Sequence, residues 1–266
     1  MNGQVKTYVN GVGLLAPGIN NWKEAAAVFN SESLYVHAAT VLPVPECLPP
    51  AERRRASRVI RLSLAIGFEA IAHSGADAST LATVFTSSGA DGHNCHSLCE
   101  QLATDDRQIS PTRFHNSVHN AAAGYWGIAT GSMAPCQVIG AHDASFGAGL
   151  LDAMAQVMND GEPVLLVAYD SEYPEPLFAK RNTPDCAGVA IMLSPYCTPK
   201  SLASISVRPT TQAAEQMPDE NLDQLREKIP ALRSLPLLSR IAQRQAATVI
   251  LEYLQQMSLS VEVSPC

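Results

Sequence analysis

The sequence predicts an α/β fold in which helices pack on a largely buried sheet. Hydrophobic residues make up 46% of the 266 residues, which is enough for a full core in one large domain or two small ones. Segments that alternate like strands and segments with helical periodicity follow each other along the chain. Pro163 to Tyr169 is apolar on both faces, a pattern typical of a strand inside a covered sheet.

The N-terminal elements are predicted from alternation and periodicity. Tyr8 to Leu15 alternates like a strand, and Trp22 to Phe29 is predicted to form a short helix. A Pro-rich segment, Pro43 to Pro50, precedes apolar residues at helical spacing, which predict a helix over Arg53 to Ala72. Thr83 to Ser87 is predicted to be a short buried strand.

The central elements place a sharp turn between a strand and a helix. Helices are predicted at Asn94 to Leu102 and at Ser117 to Ile128. A buried strand, Cys136 to Ala141, then leads into a turn at His142 and Asp143. The helix after this turn has an apolar face formed by Phe146, Leu150, Leu151 and Met154.

The C-terminal part is predicted to contain a hairpin, a polar segment, a helix and a last strand. Gly188 to Leu193 and Ala203 to Val207 are predicted to pair around a turn at Tyr196 to Lys200. A Pro-rich loop precedes this hairpin at Pro174 to Pro184. After it come the polar segment Thr210 to Glu227, a helix over Leu237 to Met257 and a strand over Leu259 to Val263.

Composition excludes several classes of partner. The net charge is −7 and there is no long basic run, which argues against nucleic acid or an anionic membrane as a partner.

The N-terminal segment MNGQVKTYVNGVG lacks the basic and apolar regions of a signal peptide, so we expect a cytoplasmic protein. Its seven cysteines are odd in number and irregularly spaced, which predicts reduced and mostly buried thiols.

No metal or cofactor is expected. His93, Cys95, His96 and Cys99 lie within about two helical turns, whereas a structural zinc site gathers two separated pairs of ligands. Four side chains this close in sequence are poorly placed to converge on one ion. Gly11, Gly13 and Ala16 have the GxGxxA spacing of a dinucleotide site, but Pro17 follows where a helix should begin.

The turn at His142 and Asp143 offers no good nucleophile. Asp143 is predicted to cap the following helix, because the field of a helix N-terminus stabilises a carboxylate. As an acyl acceptor it would give a mixed anhydride rather than a thioester. Ser145 lies in DASFG, which lacks the first glycine of a GxSxG elbow, and its neighbour His142 is poorly placed to act as a base.

Several segments, in their order and spacing, resemble the β-ketoacyl synthases. They are YVNGVGLLAPGINNW, TVFTSSGADG, SPTRFHNSVHNAAAG, the strand and turn around Asp143, and VLLVAYDSE. The resemblance extends from about Tyr8 to Leu193, and Asp143 matches the position of the family's catalytic cysteine. It implies a thiolase-like layered fold (helix, sheet, helix) truncated to mainly the N-terminal half. The implied parts are a ketosynthase-like domain at 1–208 and a helical extension with a final strand at 209–266, packed on the same domain.

The departures from the family argue against independent catalysis. All seven histidines lie at or before His142, and the GTGT-like, GH-type and FGFGG-like motifs of a complete synthase are missing after Leu193. The chain therefore resembles a chain length factor, the non-catalytic subunit of type II polyketide and fatty acid systems, and more narrowly the truncated subunits of aryl polyene pathways. The resemblance implies a heterodimer with a catalytic ketosynthase, which this chain stabilises while it shapes the acyl or polyene tunnel. Acyl carrier protein would be an indirect partner.

Residue roles at the interface and tunnel follow from position in the resemblance. Arg113, Phe114 and His115 match the segment that reaches towards the partner's tunnel, although Phe114 could equally be interface packing. His119 is expected to be a hydrogen-bonded interface histidine rather than a base, since no nucleophile lies within its reach. Trp126 is expected in the core or at the interface. The remaining interface or tunnel candidates are Ser117, Cys136, Val138 and Phe146.

Two other functions remain open on the sequence. One is a stand-alone decarboxylase or thioesterase that acts on carrier-bound acyl groups through Asp143 or Ser145. The other is a scaffold that holds pathway enzymes without touching the acyl chain. Turnover of acyl thioesters by the isolated chain would identify the first, and a product length that ignores tunnel substitutions would identify the second.

Overall fold

The computed structural model describes residues 6–266 as one sheet with helices on both faces. The first five residues, which belong to the segment used in the argument on localisation, lie outside the described residues. The strands are β1 (Lys6–Leu15), β2 (Ala82–Thr86), β3 (Cys136–Ile139), β4 (Val164–Asp170), β5 (Ala187–Ser194), β6 (Ala203–Thr210), β7 (Ala247–Leu254) and β8 (Met257–Pro265).

The helices are α1 (Trp22–Phe29), α2 (Pro50–Arg53), α3 (Arg58–Ser74), α4 (Gly92–Leu102), α5 (Pro111–His115), α6 (Ala121–Thr130), α7 (Ser145–Asp160), α8 (Glu220–Lys228) and α9 (Leu235–Gln243). Short 3₁₀ turns cover His142–Ala144 and Pro230–Ser234. Within the described residues, no helix combines the length and apolar character needed to span a bilayer.

The sheet has eight strands in the order β3-β2-β4-β5-β1-β6-β8-β7. β2 runs parallel to both β3 and β4, and the other neighbouring strands are antiparallel. β3 is the first strand of the sheet, so its outer edge meets no partner strand within residues 6–266.

Two cores on opposite faces confirm the predicted layers of helix, sheet and helix. Along β4, Leu166 and Ala168 pack on the side of α7 and α9, whereas Leu165 and Val167 pack on the side of α3 and α6. This alternation of two apolar faces explains why the sequence of β4 shows no polar face.

Most N-terminal elements agree with the sequence. β1, α1, β2 and α4 lie where periodicity predicts them. The helix predicted from Arg53 begins at Arg58, and the one predicted from Ser117 begins at Ala121, after the separate short helix α5. Pro111, at the first position of α5, suits a helix start because it needs no hydrogen-bond acceptor there.

Two C-terminal predictions are wrong. Strands β5 and β6 do not form a hairpin, because β1 lies between them and pairs antiparallel with both. The helix predicted over Leu237 to Met257 ends at Gln243, and β7 follows. Arg244 adopts a left-handed backbone with φ of 50°, and Thr248, Val249 and Ile250 are β-branched residues that favour a strand. The true hairpin is β7–β8.

Two further segments differ in detail. β3 was expected to be buried, but Cys136 and Gln137 are exposed because the strand lies at the sheet edge. The polar segment predicted over Thr210 to Glu227 contains the end of β6 and most of α8. The domain boundary predicted after residue 208 falls inside β6, and β6 is paired with β1 on one side and β8 on the other.

Candidate functional site

The strand-to-helix turn after β3 has a strained residue at its tip. His142 has a φ of 51°, a left-handed backbone that is uncommon for a residue with a side chain, and its side chain is 71% exposed. Ser145 fixes the turn, since its hydroxyl accepts from the Ala141 amide (3.1 Å) and donates to the His142 carbonyl (2.7 Å). The Ser145 hydroxyl therefore stabilises the turn, and its proton is already donated within it.

Asp143 does not cap α7, contrary to the prediction. The N-cap residue of α7 is Ala144, without a side-chain hydrogen bond. Instead, Oδ1 of Asp143 accepts from Nη2 of Arg181 at 2.5 Å, and Oδ2 lies 3.3 Å from Nη2 of Arg233. The carboxylate pairs with these guanidinium groups because each carries a full positive charge, whereas the amides at a helix start carry only a partial one.

These contacts hold Asp143 in its ionised form. Burial opposes ionisation, but the hydrogen bond from Arg181 and the charges of Arg233 and Arg181 outweigh it and lower the pKa of Asp143. A carboxylate paired in this way is a poor nucleophile, since attack on an acyl group would have to break both ion pairs. At this turn Asp143 therefore has a structural role, as the acceptor in two ion pairs.

The ion pairs of Asp143 extend into the C-terminal part of the chain through Arg233. Arg233, whose side chain is only 9% exposed, lies 3.2 Å from Oε1 of Glu252 on β7. The other Glu252 oxygen lies 3.4 Å from Arg226, and Arg226 donates to Asp223 at 2.6 Å. Ion pairs thus join the turn after β3 to the Pro230–Ser234 turn, β7 and α8.

His142 shares Arg181 with Asp143. Nε2 of His142 lies 2.7 Å from Nη1 of Arg181, and Nδ1 lies 3.5 Å from Oδ1 of Asp143. Because a guanidinium can only donate, Nε2 must accept, which places the imidazole proton on Nδ1 towards the carboxylate. Sequence reasoning missed Arg181 and Arg233, which lie in segments without a local signal.

A second buried carboxylate supports the same region. At the end of β4, Asp170 accepts from the amide of Ser88 (2.7 Å) and from the amide of Ala231 (2.8 Å). Burial raises the pKa of Asp170 to about 6, although the hydrogen bonds and Arg181 act in the opposite direction. Asp170 therefore joins the loop after β2 to the Pro230–Ser234 turn.

The predicted interface residues separate into surface and core. Phe114 on α5 is 65% exposed, and Ser117 and His119 lie in the turn between α5 and α6. Trp126 and Phe146 are buried in the core and offer a partner no surface. Trp126 packs on Phe68, with ring centroids 4.9 Å apart.

Surface residues of α5 and α6 form an apolar groove of about 610 Å³. Its lining includes Phe114, His115, Val118, Tyr125 and Ile128. Arg113 lies on the polar side of α5, where it lines a different cleft together with other arginines. The structure thus places Phe114 and His115 in one groove and Arg113 outside it.

The edge strand lies beside the turn that carries His119. A Cβ added at Gly140 would lie 3.1 Å from Nε2 of His119, so the ring covers the start of the turn after β3. Cys136 and Val138 lie on β3 at the sheet edge. The interface roles of these residues stay predictions.

The histidines and cysteines of α4 face different partners. Nε2 of His93 lies 3.4 Å from Glu172, and Nε2 of His96 lies 3.2 Å from Glu100. The sulfur of Cys95 points to the Ser117 carbonyl at 3.9 Å.

A different group, Glu172, Asp185 and Cys186, brings its ligand atoms within 4.8 Å of one another. Arg58 already serves these groups, with contacts of 2.9 Å to Glu172, 2.6 Å to Asp185 and 3.2 Å to the sulfur of Cys186. This guanidinium supplies the cation that the two carboxylates require.

Solved structures share this fold along the whole chain. The ketosynthase ApeO in complex with its chain length factor ApeC, from Xenorhabdus doucetiae, matches at 19% identity with a TM-score of 0.74. That match covers 97% of this chain and 99% of the other. The ishigamide ketosynthase/chain length factor matches at 14% identity with a TM-score of 0.74 and covers 99% of both chains.

A longer ketosynthase matches over a part of its length. The ketosynthase from module 1 of the bacillaene synthase of Bacillus amyloliquefaciens has 14% identity, a TM-score of 0.56, and coverage of 80% of this chain but 47% of that chain. At these identities the likeness shows the fold, which is the predicted thiolase-like fold. Among curated protein sequences, none matches this chain significantly.

The family assignment comes from the sequence itself. The sequence pattern of the family described as "Beta-ketoacyl synthase, N-terminal domain" matches residues 21–253, which span most of the chain. The match includes the turn with His142 and Asp143, and it extends into β7. This chain therefore belongs to the β-ketoacyl synthase family and carries the family's N-terminal domain.

Proposed function

We propose that this chain is a chain length factor, a non-catalytic subunit that pairs with an active ketosynthase. In this role it stabilises the ketosynthase and shapes the tunnel for the acyl or polyene chain in a type II polyketide or aryl polyene pathway. Two of the similar solved structures are described as a ketosynthase with a chain length factor. Acyl carrier protein would then meet the complex mainly through the ketosynthase.

One observation carries the non-catalytic role. The turn at which a synthase presents its thiol holds His142 and Asp143, and Asp143 is engaged by Arg181 and Arg233. Ser145 is only 1% exposed, and its hydroxyl makes two hydrogen bonds within the turn. No hydroxyl or thiol at this turn is free to accept an acyl group, so the geometry favours no thioesterase based on Ser145.

The edge of the sheet supports pairing with a partner. β3 exposes a row of backbone groups at its outer edge, a surface on which a strand from another chain could add. Met133, three residues before β3, is 97% exposed, and Phe114, Val118 and Ile128 are exposed in the α5–α6 groove. Exposed large apolar side chains of this kind are typical of a protein interface.

The groove formed by α5 and α6 is our candidate for the chain-length wall. Its volume of about 610 Å³ and its mostly apolar lining suit an alkyl or polyene chain. Phe114 is the largest exposed side chain of the lining, so it is the residue most able to limit chain length.

Co-expression of this chain with a ketosynthase encoded in the same genome tests whether the two form a complex. Light scattering on the co-purified material should give a stable 1:1 complex, while the chain expressed alone should aggregate or self-associate through its open edge. If the chain is a soluble monomer that does not bind the ketosynthase, the proposal is wrong.

A variant at Met133 tests whether the surface beside β3 binds the ketosynthase. Met133→Glu should abolish co-purification and leave the fold intact, because it places a charge on an exposed apolar position. Met158→Glu is the matched control, since Met158 is also an exposed methionine but lies on α7, in the helical layer on the other side of the sheet. Equal loss of the complex in both variants would argue against this face.

A further inference from the structure

Cys197 and Cys266 bring two exposed thiols together from distant parts of the chain. Cys197 lies in the connection between β5 and β6, and Cys266 directly follows β8. Both are free and exposed, and they lie close enough for Cys197 to raise the pKa of Cys266. Two solvent-accessible thiols held close together are the starting arrangement for disulfide formation.

Backbone contacts hold both cysteines in place. Pro265 lies opposite Ala203 in the pairing of β8 with β6, and the Cys266 amide donates to the Leu202 carbonyl at 3.4 Å. On the other side, the Thr198 amide donates to the hydroxyl of Ser201 at 2.8 Å, and this hydroxyl donates to buried Asn10 at 2.6 Å. The tight turn from Thr198 to Ser201 and the pairing of Cys266 with Leu202 therefore hold both cysteines at the start of β6.

We propose that Cys197 and Cys266 form a reversible disulfide when the protein meets a low-molecular-weight disulfide such as glutathione disulfide. One cysteine thiolate attacks the small disulfide, forms a mixed disulfide and releases one glutathione thiolate. The second cysteine then attacks the protein sulfur of the mixed disulfide and releases the second glutathione. Two protein thiols are oxidised, the small disulfide is reduced to two thiols, and these take up the two protons.

The bridge would fasten the end of the sheet. It closes the chain from the connection before β6 to the residue after β8, a stretch that includes α8, β7 and Glu252. Closing a long loop mainly restricts the unfolded state, so oxidised protein should resist unfolding better than reduced protein. Burial and Cys197 raise the pKa of Cys266, while Lys6 lowers it, so the exchange should be faster in mildly alkaline buffer.

Non-reducing peptide mapping tests the proposal on the full chain. After incubation with glutathione disulfide at about pH 8, the peptides containing Cys197 and Cys266 should appear cross-linked, with the intact mass lower by about 2 Da. The thermal midpoint should rise by roughly 5 °C and return on reduction with dithiothreitol.

Serine variants make the assignment specific. Cys197→Ser and Cys266→Ser should each lose the cross-link and retain a mixed disulfide on the remaining cysteine. Cys95→Ser, which removes another exposed thiol on α4, should keep the cross-link. The proposal is overturned by wild-type protein that stays reduced, that stops at mixed disulfides on both cysteines, or that cross-links a different pair.

Discussion

Arg233 donates a hydrogen bond of 2.9 Å from Nη1 to the main-chain carbonyl of Asp143, a residue 90 positions earlier in the chain. The same guanidinium contacts the Asp143 carboxylate and Glu252 through Nη2. One buried cation therefore fixes the backbone and the side chain of the turn after β3 and connects both to β7. The turn that the family resemblance matches to the thiol-bearing turn of a synthase is a structural junction in this chain.

Removal of this cation should destabilise the whole domain. Arg233→Ala leaves a partly buried carbonyl without its donor and two carboxylates with one partner fewer, so the free energy of unfolding should fall by about 2 kcal/mol. Urea denaturation followed by circular dichroism measures the change. Lys180→Ala is the control, because Lys180 is exposed, and its effect should stay within about 0.5 kcal/mol. Equal stability of the two variants would show that the junction carries little energy.

Asp170 should give the protein an unusual dependence on pH. Its folded pKa of about 6 lies above the ordinary value of 3.8, so the folded protein binds a proton that the unfolded chain has lost. This contribution to stability is absent at high pH and grows as the pH falls through about 6 towards 4. Between pH 7 and pH 5 it should add about 1 kcal/mol to the free energy of unfolding.

The Asp170→Asn variant isolates this effect. Asparagine cannot titrate, so the free energy of wild type minus that of the variant should increase by about 1 kcal/mol from pH 7 to pH 5. Denaturation curves of both proteins at the two pH values provide the measurement, and the other titrating groups cancel in the difference. A difference that stays constant or decreases on acidification contradicts the raised pKa.

The proposed tunnel role rests on the exposed ring of Phe114. In a reconstituted pathway with the ketosynthase partner, Phe114→Ala should shift the products towards longer chains, since it enlarges the groove. The stability of the isolated chain should change little because Phe114 is largely exposed in it. Mass spectrometry of the released products measures the distribution. Leu177→Ala, another exposed apolar residue outside this groove, should leave the distribution unchanged.

The local elements could be predicted from the sequence, whereas their pairing could not. The alternation along β1 and the periodicity of α3 are properties of adjacent residues, and both elements lie close to the predicted positions. The hairpin error arose because β5 and β6 are near in sequence, although each pairs with β1. Turn chemistry suggested a cap for Asp143, but Arg181, 38 residues away, competes more strongly for the carboxylate.

Introducing a thiol at Asp143 should create a reactive but non-condensing site. In Asp143→Cys the thiol would lie between Arg181 and Arg233 near the start of α7, an environment that lowers a thiol pKa below the ordinary value of about 8.5. At about pH 6.5 iodoacetamide should therefore modify Cys at this position several-fold faster than Cys136, which is exposed on β3. Peptide mass spectrometry over time measures both rates in the same protein.

The same variant should not restore condensation, because no histidine follows His142 in the sequence to assist decarboxylation. His142→Cys is the matched comparison, since it places the thiol at the exposed tip of the turn beside only one arginine. We expect its alkylation to be slower than that of Asp143→Cys at about pH 6.5, because one guanidinium stabilises a thiolate less than two. Faster alkylation at position 142 would assign the nucleophile position of the family to the tip of the turn and would leave Asp143 a purely structural role.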